Sequence, residues 1–358
     1  MSGQRWFKHA IGTAVFLLLA FMLASCGGGS EGNGVAGPQA PESAGSAANA
    51  GISGDETGAE AQDNGPNRGA DDGGASQADD AAGGTGSETI YPLTVTDETG
   101  TDVTIDKAPE RVVMLVPSDT EIVYAIGAGD LAAGADEYST YPPEAADLPK
   151  VGDVNTNIEA VLALNPDLVL ASASMNHAAI DSLRQLGVTV YAADPKTLEE
   201  TIAHIEQIGV LLNRQDGARA VADRMREIVR EVTERVADAE PVSVYLEFSP
   251  GWTVGSGTFL DDLVSLAGGV NLSNDREGWF EVDPEAVIAR NPQVIIYPDI
   301  EGVDFLGGIL SRPGWDRIDA VRNNRVVAVA NEPLVRVGPR LTDGLREIAA
   351  ALHPDRFP

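Results

Sequence analysis

The chain has 358 residues and a formal net charge of −31 at pH 7, so it is long enough for two domains of ordinary size. The acidic balance argues against nucleic acid as a partner, because the phosphate backbone attracts basic surfaces. A single cysteine excludes an intrachain disulfide.

The first 25 residues have the pattern of a lipoprotein signal peptide. Arg5 and Lys8 form a positive segment, and the apolar core over residues 11–22 is too short for a comfortable membrane span. Small residues then lead to Cys26, which resembles the lipid-modified cysteine of a bacterial lipobox. We therefore predict a signal peptide at residues 1–25 and lipidation of Cys26. The alternative is a free cysteine behind an ordinary signal peptide.

Residues 26–88 are predicted to be a lipidated cysteine followed by a disordered acidic tether. Eleven acids and one base occur between residues 27 and 88, among Gly, Ala, Ser and Asn. Such a segment cannot bury enough apolar surface to offset its ordering entropy. It should therefore be flexible and self-repelling, and the folded part should begin near Thr89.

The segment 89–212 is predicted to form an N-terminal α/β lobe. Its strands are predicted at residues 91–97, 102–105, 111–116, 167–171 and 188–192. Helices are predicted from Pro117 to Ile126 and over residues 176–186, in addition to a short helix that starts near Glu159. This alternation of strand and helix indicates a largely parallel sheet with helices on its faces.

The segment 198–238 has no strand pattern and predicts two helices, of which the first ends near Leu212. The second, over residues 213–238, carries an apolar stripe with a spacing of three or four residues. The stripe consists of Val221, Met225, Val229, Val232 and Val236. A second α/β series follows, so we predict a helix that connects the first lobe to a C-terminal lobe at 239–358 and limits hinge opening. The alternative is a peripheral helix within one large domain.

One octapeptide occurs twice and supports the division into two lobes. The copies begin at Glu159 and Glu285, 126 residues apart, and agree at six of eight positions. Asn157 and Asp283 stand two positions earlier as candidate helix caps. A short helix that is broken at a proline and leads into a buried strand is half of an α/β unit. The sequence therefore predicts two similarly built α/β lobes.

Motifs for catalysis or metal binding are weak. The Gly127-Ala-Gly129 stretch follows a helix rather than a strand, and Gly255-Ser-Gly257 lacks the spacing of a nucleophile motif. Of four histidines, only His177 lies on a predicted cleft loop, whereas a tight metal site needs two or three histidines or cysteines. We therefore predict no enzymatic activity, no resident metal and no cofactor.

The loops that follow the predicted strands are the candidate ligand site. Open α/β sheets bind ligands beyond the carboxyl ends of their strands, and the loops of two lobes can face one cleft. Aromatic residues make up 5% of the chain, yet six of them fall in these loops. They are Tyr138, Tyr141, Phe248, Trp252, Trp279 and Phe280. Aromatic loops around a cleft predict a large, flat, partly apolar ligand.

From about Thr89 to its end, the chain resembles the extracytoplasmic solute-binding proteins of ABC importers that carry cobalamin, iron-siderophore and haem. The resemblance is carried by Pro117-Ser-Asp-Thr-Glu-Ile, Tyr141-Pro-Pro-Glu-Ala, Val151-Gly-Asp, Asn165-Pro-Asp-Leu-Val, Gly278-Trp279 and Gly338-Pro-Arg-Leu341. The chain is most similar to the vitamin B12 binders. In these, the tyrosine before Pro-Pro and the tryptophan six residues ahead of the second glutamate line the corrinoid cleft. Asp153 is a departure, because some of these proteins have an aromatic residue there.

This resemblance implies the helical-hinge periplasmic-binding-protein fold, with two Rossmann-like lobes joined by a single long α-helix. It implies a cobalamin ligand, with ferric siderophore or haem as the alternative, for which Arg336 and Arg340 are available cations. Together with the loops, it predicts ligand contacts by twelve residues. They are Ser118, Asp119, Thr120, Tyr138, Tyr141, Asp153, Met175, Phe248, Trp252, Trp279, Glu332 and Arg336.

The resemblance also implies a permease dimer with its ATPase subunits as partner. Glu159 and Glu285 would lie at the outer tips of the two lobes and dock onto permease arginines. The alternative for both glutamates is the favourable dipole at a helix start. The chain is then expected to be an extracytoplasmic monomer held on the membrane by its lipid anchor. An enzyme or a surface adhesin on the same scaffold is the alternative of a different class.

Overall fold

A computed structural model describes residues 88–358, and all of them belong to one compact unit. The predicted signal peptide, Cys26 and the predicted tether up to residue 87 lie outside the described residues. Within residues 88–358, no helix is both long enough and apolar enough to cross a membrane.

The first lobe begins with a hairpin, as predicted, and continues with a parallel sheet. In the hairpin, β1 (Leu93–Thr96) pairs antiparallel with β2 (Asp102–Ile105). The sheet consists of β3 (Val112–Met114), β4 (Ala132–Ala135), β5 (Leu168–Ser172) and β6 (Val190–Ala193), in the order β4-β3-β5-β6. The sequence does not predict β4, because Ala-Ala-Gly-Ala lacks β-branched side chains. Packing explains its small residues, since a Cβ on Gly134 would lie 2.4 Å from Leu164 Cδ1.

Four helices flank this sheet, close to the predicted positions. They are α1 (Pro117–Ala125), α2 (Ile158–Ala163), α3 (His177–Gln185) and α4 (Leu198–Leu211), with short 3₁₀ turns at Gly129–Leu131 and Pro143–Asp147. Pro117 stands in the first turn of α1, where its missing N–H leaves no helical hydrogen bond unmade. Thr197 and Glu200 form a capping box at the start of α4.

One long helix, α5 (Gln215–Val236), joins the two lobes. Its buried face differs from the predicted stripe, because Val221 and Val229 are only partly buried. The buried residues are Ala218, Ala222, Met225, Ile228, Val232 and Val236. Glycine is needed at position 209 where α4 meets α5, since a Cβ there would come within 2.3 Å of the Ala218 Cβ.

The second lobe repeats the architecture of the first. Its strands are β7 (Val242–Leu246), β8 (Trp252–Val254), β9 (Gly269–Asn271), β10 (Trp279–Glu281), β11 (Val294–Asp299) and β12 (Val326–Ala330). Four of them form a parallel sheet in the order β12-β11-β7-β9, while β8 and β10 pair antiparallel beside it. The helices are α6 (Phe259–Leu266), α7 (Pro284–Arg290), α8 (Phe305–Leu310), α9 (Asp319–Arg322), α10 (Asn331–Val335) and α11 (Leu341–Leu352), with a 3₁₀ turn at Trp315–Arg317.

The repeated octapeptide forms the same structure in both lobes. The side chain of Asn157 accepts a hydrogen bond from the backbone of α2, and that of Asp283 accepts one from α7, which confirms the predicted caps. Both copies then turn at an asparagine with positive φ, 45° at Asn165 and 47° at Asn291. Because α2 leads into β5 and α7 into β11, each helix begins at the edge where the parallel strands end. Glu159 and Glu285 therefore lie on the same side of the molecule as the loops of the candidate site.

A single apolar cluster extends through both lobes and α5. It includes Met114 of the first sheet, Met225 of α5 and Val244 of the second sheet. Two smaller clusters lie within one lobe each, around Leu183 and Trp315. Wide separation of the lobes would expose part of the shared cluster to water, which costs free energy in proportion to the apolar area.

Candidate functional site

A cavity lies between the loops that follow the parallel strands of the two lobes. The cavity has a volume of about 300 Å³ and is open to solvent. Loops after β3, β4, β5 and β6 form one wall, and loops after β7, β11 and β12 contribute to the other. The cavity volume lies at the lower end of the roughly 300–1,000 Å³ of common small-molecule pockets. Because the cavity opens to solvent, a larger ligand can extend beyond its mouth.

The cavity brings together nine of the twelve residues predicted from the sequence. From the first lobe these are Ser118 and Asp119 at the start of α1, Tyr138 after β4, and Met175 before α3. From the second lobe they are Phe248, Trp252, Trp279, Glu332 and Arg336. Burial raises the pKa of the Tyr138 hydroxyl, so this phenol is a neutral hydrogen-bonding group near pH 7.

An aromatic group forms much of the second lobe's wall. Trp279 meets Phe248 edge to face, with ring centroids 4.6 Å apart and an interplanar angle of 69°. Phe259 lies 6.3 Å from Trp279 and also lines the cavity, although the sequence analysis does not select it. Pairing of β8 with β10 holds Trp252 and Trp279 on one small sheet. The wall thus offers aromatic faces and edges in a fixed arrangement, held by the neighbouring rings and by the pairing of β8 with β10.

Three predicted residues lie outside the cavity wall. Thr120 is fully buried, and its hydroxyl shares a hydrogen bond of 2.7 Å with Ser139. Tyr141 is 47% exposed, and its ring lies under the guanidinium of Arg340 at 4.1 Å. Asp153 accepts a hydrogen bond from the backbone N–H of Asn155 at 2.8 Å, and its neighbour Val154 lines the cavity instead.

His204, in α4, is a cavity residue that is not among those predicted from the sequence. Its Nε2 lies 3.0 Å from Asp119 Oδ1, and the two residues are 8% and 3% exposed. Its Nδ1 has no hydrogen-bond partner among the described residues. The expected cleft histidine, His177, is instead exposed at the start of α3 and is not part of the wall. The signal for His204 is its helical spacing from buried Thr201 and Ile208, which places all three on one face.

Asp136 is a second cavity residue that the sequence analysis misses, because it follows the unpredicted strand β4. It is 3% exposed. The Ser139 hydroxyl donates to its Oδ1, and the Tyr138 N–H donates to its Oδ2 at 3.1 Å. Burial raises the pKa of Asp136 to about 6, although the nearby cations Arg336 and Lys150 act in the opposite direction.

The charged groups of the wall are mainly acidic. Its carboxylates belong to Asp119, Asp136, Asp194 and Glu332, and its cations to Lys196 and Arg336. Both cations are paired, since Lys196 contacts Asp194 and Arg336 Nε lies 3.1 Å from Glu332 Oε2. Arg340, the other expected cation, lies outside the wall and binds Glu121, a hydrogen bond that raises the pKa of Arg340. No group of three or more His, Cys, Asp or Glu residues suited to a metal ion occurs in the described part of the chain.

The two repeated glutamates are exposed. Neither the Glu159 nor the Glu285 side chain forms an ion pair within residues 88–358. Each follows an N-cap residue of a short helix, so both carboxylates are in position to meet cations of another molecule. Whether they dock onto a permease stays a prediction.

Comparison with known proteins gives a consistent picture. The sequence profile of a family described as periplasmic binding protein matches residues 112–333. An uncharacterized ABC transporter substrate-binding lipoprotein of Bacillus subtilis is 36% identical over 278 residues, which is 75% of this chain and 88% of the relative.

Solved structures share the fold. The periplasmic vitamin B12 binding protein of Vibrio cholerae has a TM-score of 0.63 and 32% identity, and the match covers 69% of this chain and 98% of that one. A periplasmic heme-binding protein from Roseiflexus sp. RS-1 has a TM-score of 0.60 and 26% identity, with 69% and 99% covered. The expected fold of two α/β lobes with parallel sheets and a connecting helix is confirmed.

Proposed function

Since the chain belongs to the periplasmic binding protein family, we propose that this solute-binding protein of an ABC importer captures a corrinoid such as cobalamin. Proteins of this family are non-enzymatic transport components, which confirms the expectation that the chain is not an enzyme. Its place in an importer implies a permease and an ATPase as partners and a small molecule as ligand. The corrinoid is the finer part of the proposal and is argued from the cavity.

The observation that carries the proposal is an aromatic wall beside unpaired hydrogen-bond acceptors. In the neutral tautomer of His204 that donates Nε2–H to Asp119, the buried Nδ1 is an acceptor without a partner among the described residues. The Oδ1 atom of Asn331, another cavity residue, is likewise buried and unpartnered in that part of the chain. A corrinoid is a flat macrocycle with primary carboxamides on its rim. Such amides supply the donors that these acceptors lack, and the ring can lie against Trp279 and Phe248.

The charges of the wall favour a corrinoid over an anionic ligand. Four carboxylates face two cations, and both cations already have carboxylate partners. A haem with its propionates, or a catecholate siderophore, would bring further negative charge into a partly desolvated acidic site, which is costly without new cations. Ferric siderophore or haem is the second candidate, supported by the fold shared with a heme-binding protein. Arg336 and Lys196 would serve such a ligand only by leaving their carboxylate partners.

Calorimetric titration tests the ligand. The mature chain, with Cys26→Ser to keep it free of lipid, is titrated with cyanocobalamin, a ferric hydroxamate and haemin. Tight binding of cyanocobalamin alone is expected. No binding at tens of micromolar, together with tight binding of either iron compound, would refute the corrinoid.

Two adjacent residues provide a matched pair of variants. Trp279 lines the cavity, whereas Phe280 points away from it and lies under the guanidinium of Arg276 at 3.8 Å. Trp279→Ala should weaken cyanocobalamin binding by about 1–3 kcal/mol, the range for loss of a large apolar contact. Phe280→Ala removes an aromatic ring from the same strand and should leave the affinity unchanged.

We further propose that the protein acts outside the cytoplasm as a lipid-anchored monomer. The support is the lipobox pattern at Cys26 and a relative named as a lipoprotein. Replacing Cys26 with serine should release the protein from the membrane fraction, because acyl chains at that residue would be its anchor. Fractionation of cells that express the two forms decides this, and equal membrane retention would contradict the lipid anchor.

A further inference from the structure

Arg340 joins the two lobes beside the cavity. Its Nε donates to Glu121 Oε2 at 2.9 Å, and its Nη2 donates to Oε1 at 2.5 Å. Glu121 belongs to α1 in the first lobe and is 4% exposed, whereas Arg340 immediately precedes α11 in the second lobe. The contact is therefore a bidentate, charge-assisted pair between the lobes, largely removed from water.

The same guanidinium also reaches the cavity. Its Nη2 lies 3.7 Å from Glu332 Oε2, the oxygen that faces Arg336 Nε at 3.1 Å. Four side chains thus alternate in charge, from Glu121 in the first lobe through Arg340 and Glu332 to Arg336 in the cavity wall. The ring of Tyr141, 4.1 Å from the guanidinium, covers Arg340.

The backbone of the two lobes also meets at this place. A Cβ on Gly338 would lie 3.5 Å from the carbonyl oxygen of Ser118 and 3.8 Å from Ile122 Cγ1. Ser118 lines the cavity, so the contact between the lobes adjoins the candidate ligand site. A change in the separation of the lobes here would move one wall relative to the other.

We propose that Glu121 and Arg340 form an interlobe clasp that sets the width of the cleft and the positions of Glu332 and Arg336. Arg340 is thus a positioning residue and not an anion receptor for the ligand. The effect on affinity rests on the proposed function, whereas the effect on lobe separation is independent of the ligand.

Loss of the clasp should lower the fraction of molecules whose cleft has the correct width, and the apparent affinity should fall with that fraction. Arg340→Gln leaves Glu121 buried without its cation and releases Glu332 from one of its two arginines. If about one molecule in ten then holds the binding geometry, the apparent Kd rises about tenfold. Glu121→Gln, which keeps the shape of the side chain, should act in the same direction. The double variant should be no weaker than the weaker single variant, because all three lose the same bond.

Spin-label distance measurements on the mature chain test the separation of the lobes directly. The chain has one cysteine, so Cys26→Ser allows labels at introduced cysteines only, with Ala163→Cys in the first lobe and Leu310→Cys in the second. Both sites are exposed. The unmodified clasp should give one narrow distance distribution, which Arg340→Gln and Glu121→Gln should broaden or shift.

Arg184→Gln is the matched control. Arg184 pairs with Asp97 inside the first lobe, and their side chains are 21% and 0% exposed, against 21% and 3% for Arg340 and Glu121. This variant loses a comparable ion pair but should keep the interlobe distances and the affinity for cyanocobalamin. If Arg340 only stabilised the fold, Arg340→Gln and Arg184→Gln would have the same effect on the interlobe distances and on the affinity for cyanocobalamin.

Two results would overturn the proposal. If Arg340→Gln and Glu121→Gln keep the wild-type distance distribution, the pair is no clasp. If the distances change while cyanocobalamin affinity stays the same, Arg340 does not position the cavity residues. A wild-type protein that binds no cyanocobalamin would refute the corrinoid, and the distance measurements would still decide whether the clasp exists.

Discussion

Replacing Asp136 with asparagine should change how the stability of the protein depends on pH. Asp136 is 3% exposed at the cavity wall, and burial raises its pKa from 3.8 to about 6. Between these values the folded protein keeps the proton, whereas the unfolded chain has released it. Stability therefore falls as pH rises from about 4 to about 6, and the loss is complete above the folded pKa. This difference between the unfolded and folded pKa of Asp136 corresponds to about 3 kcal/mol in the free energy of unfolding.

Urea unfolding at a series of pH values measures this effect. Asparagine cannot ionise, so the Asp136→Asn variant should lack the fall between about pH 4 and pH 6. The amide must replace the carboxylate as acceptor for the Tyr138 N–H. A resulting change in the free energy of unfolding that does not depend on pH shifts the whole curve and leaves its shape unaltered. Asp147→Asn, which changes an exposed carboxyl at the end of the nearby 3₁₀ turn, is the control. Parallel curves for wild type and Asp136→Asn would refute the reasoning.

Three further predictions concern docking, dynamics and the cavity histidine. Glu159→Ala and Glu285→Ala should leave cyanocobalamin affinity unchanged but reduce uptake, most in the double variant. Each lost ion pair with a permease arginine would remove about 1–3 kcal/mol of docking free energy, and normal uptake by the double variant would contradict this. The radius of gyration from small-angle scattering should change little on ligand binding, since the apolar cluster and α5 span both lobes, and a marked decrease would indicate a wide-opening clamshell. His204→Phe keeps a ring stacked beside Tyr191, 6.1 Å away between centroids, but removes the Nδ1 acceptor and the hydrogen bond to Asp119. It should therefore weaken cyanocobalamin binding about tenfold or more in calorimetry, and an unchanged affinity would remove His204 from the site.

Features that depend on neighbours along the chain could be predicted from the sequence. The caps at Asn157 and Asp283, the repeated helix-strand unit and the long helix α5 are confirmed. These signals act over one or two helical turns, so a single sequence is sufficient to detect them. The buried face of α5 differs in register from the predicted one. It includes Ala218 and Ala222, which lie close to α4 around Gly209, whereas the predicted stripe consists of large aliphatic residues only.

The sequence also placed most of the predicted ligand-binding residues correctly at the cavity, since the ends of parallel strands must meet at one edge of a sheet. That rule is topological and holds before any side chain is placed, which is why nine predicted residues share the wall. It does not specify side-chain direction. Tyr141 and Thr120 fall in the right loops, but one lies against Arg340 and the other against Ser139.

By itself, the sequence determined the alternation of strands and helices, the two matched lobes and the main loops that surround the cleft, because local patterns and sheet topology are sufficient for these. Only the tertiary structure decided which charged groups are available to a ligand. His204 pairs with Asp119 across 85 positions and Arg340 with Glu121 across 219. Such pairs form when packing brings distant elements within about 3 Å, and hydrogen-bond geometry at that range follows from the folded backbone rather than from spacing along the chain.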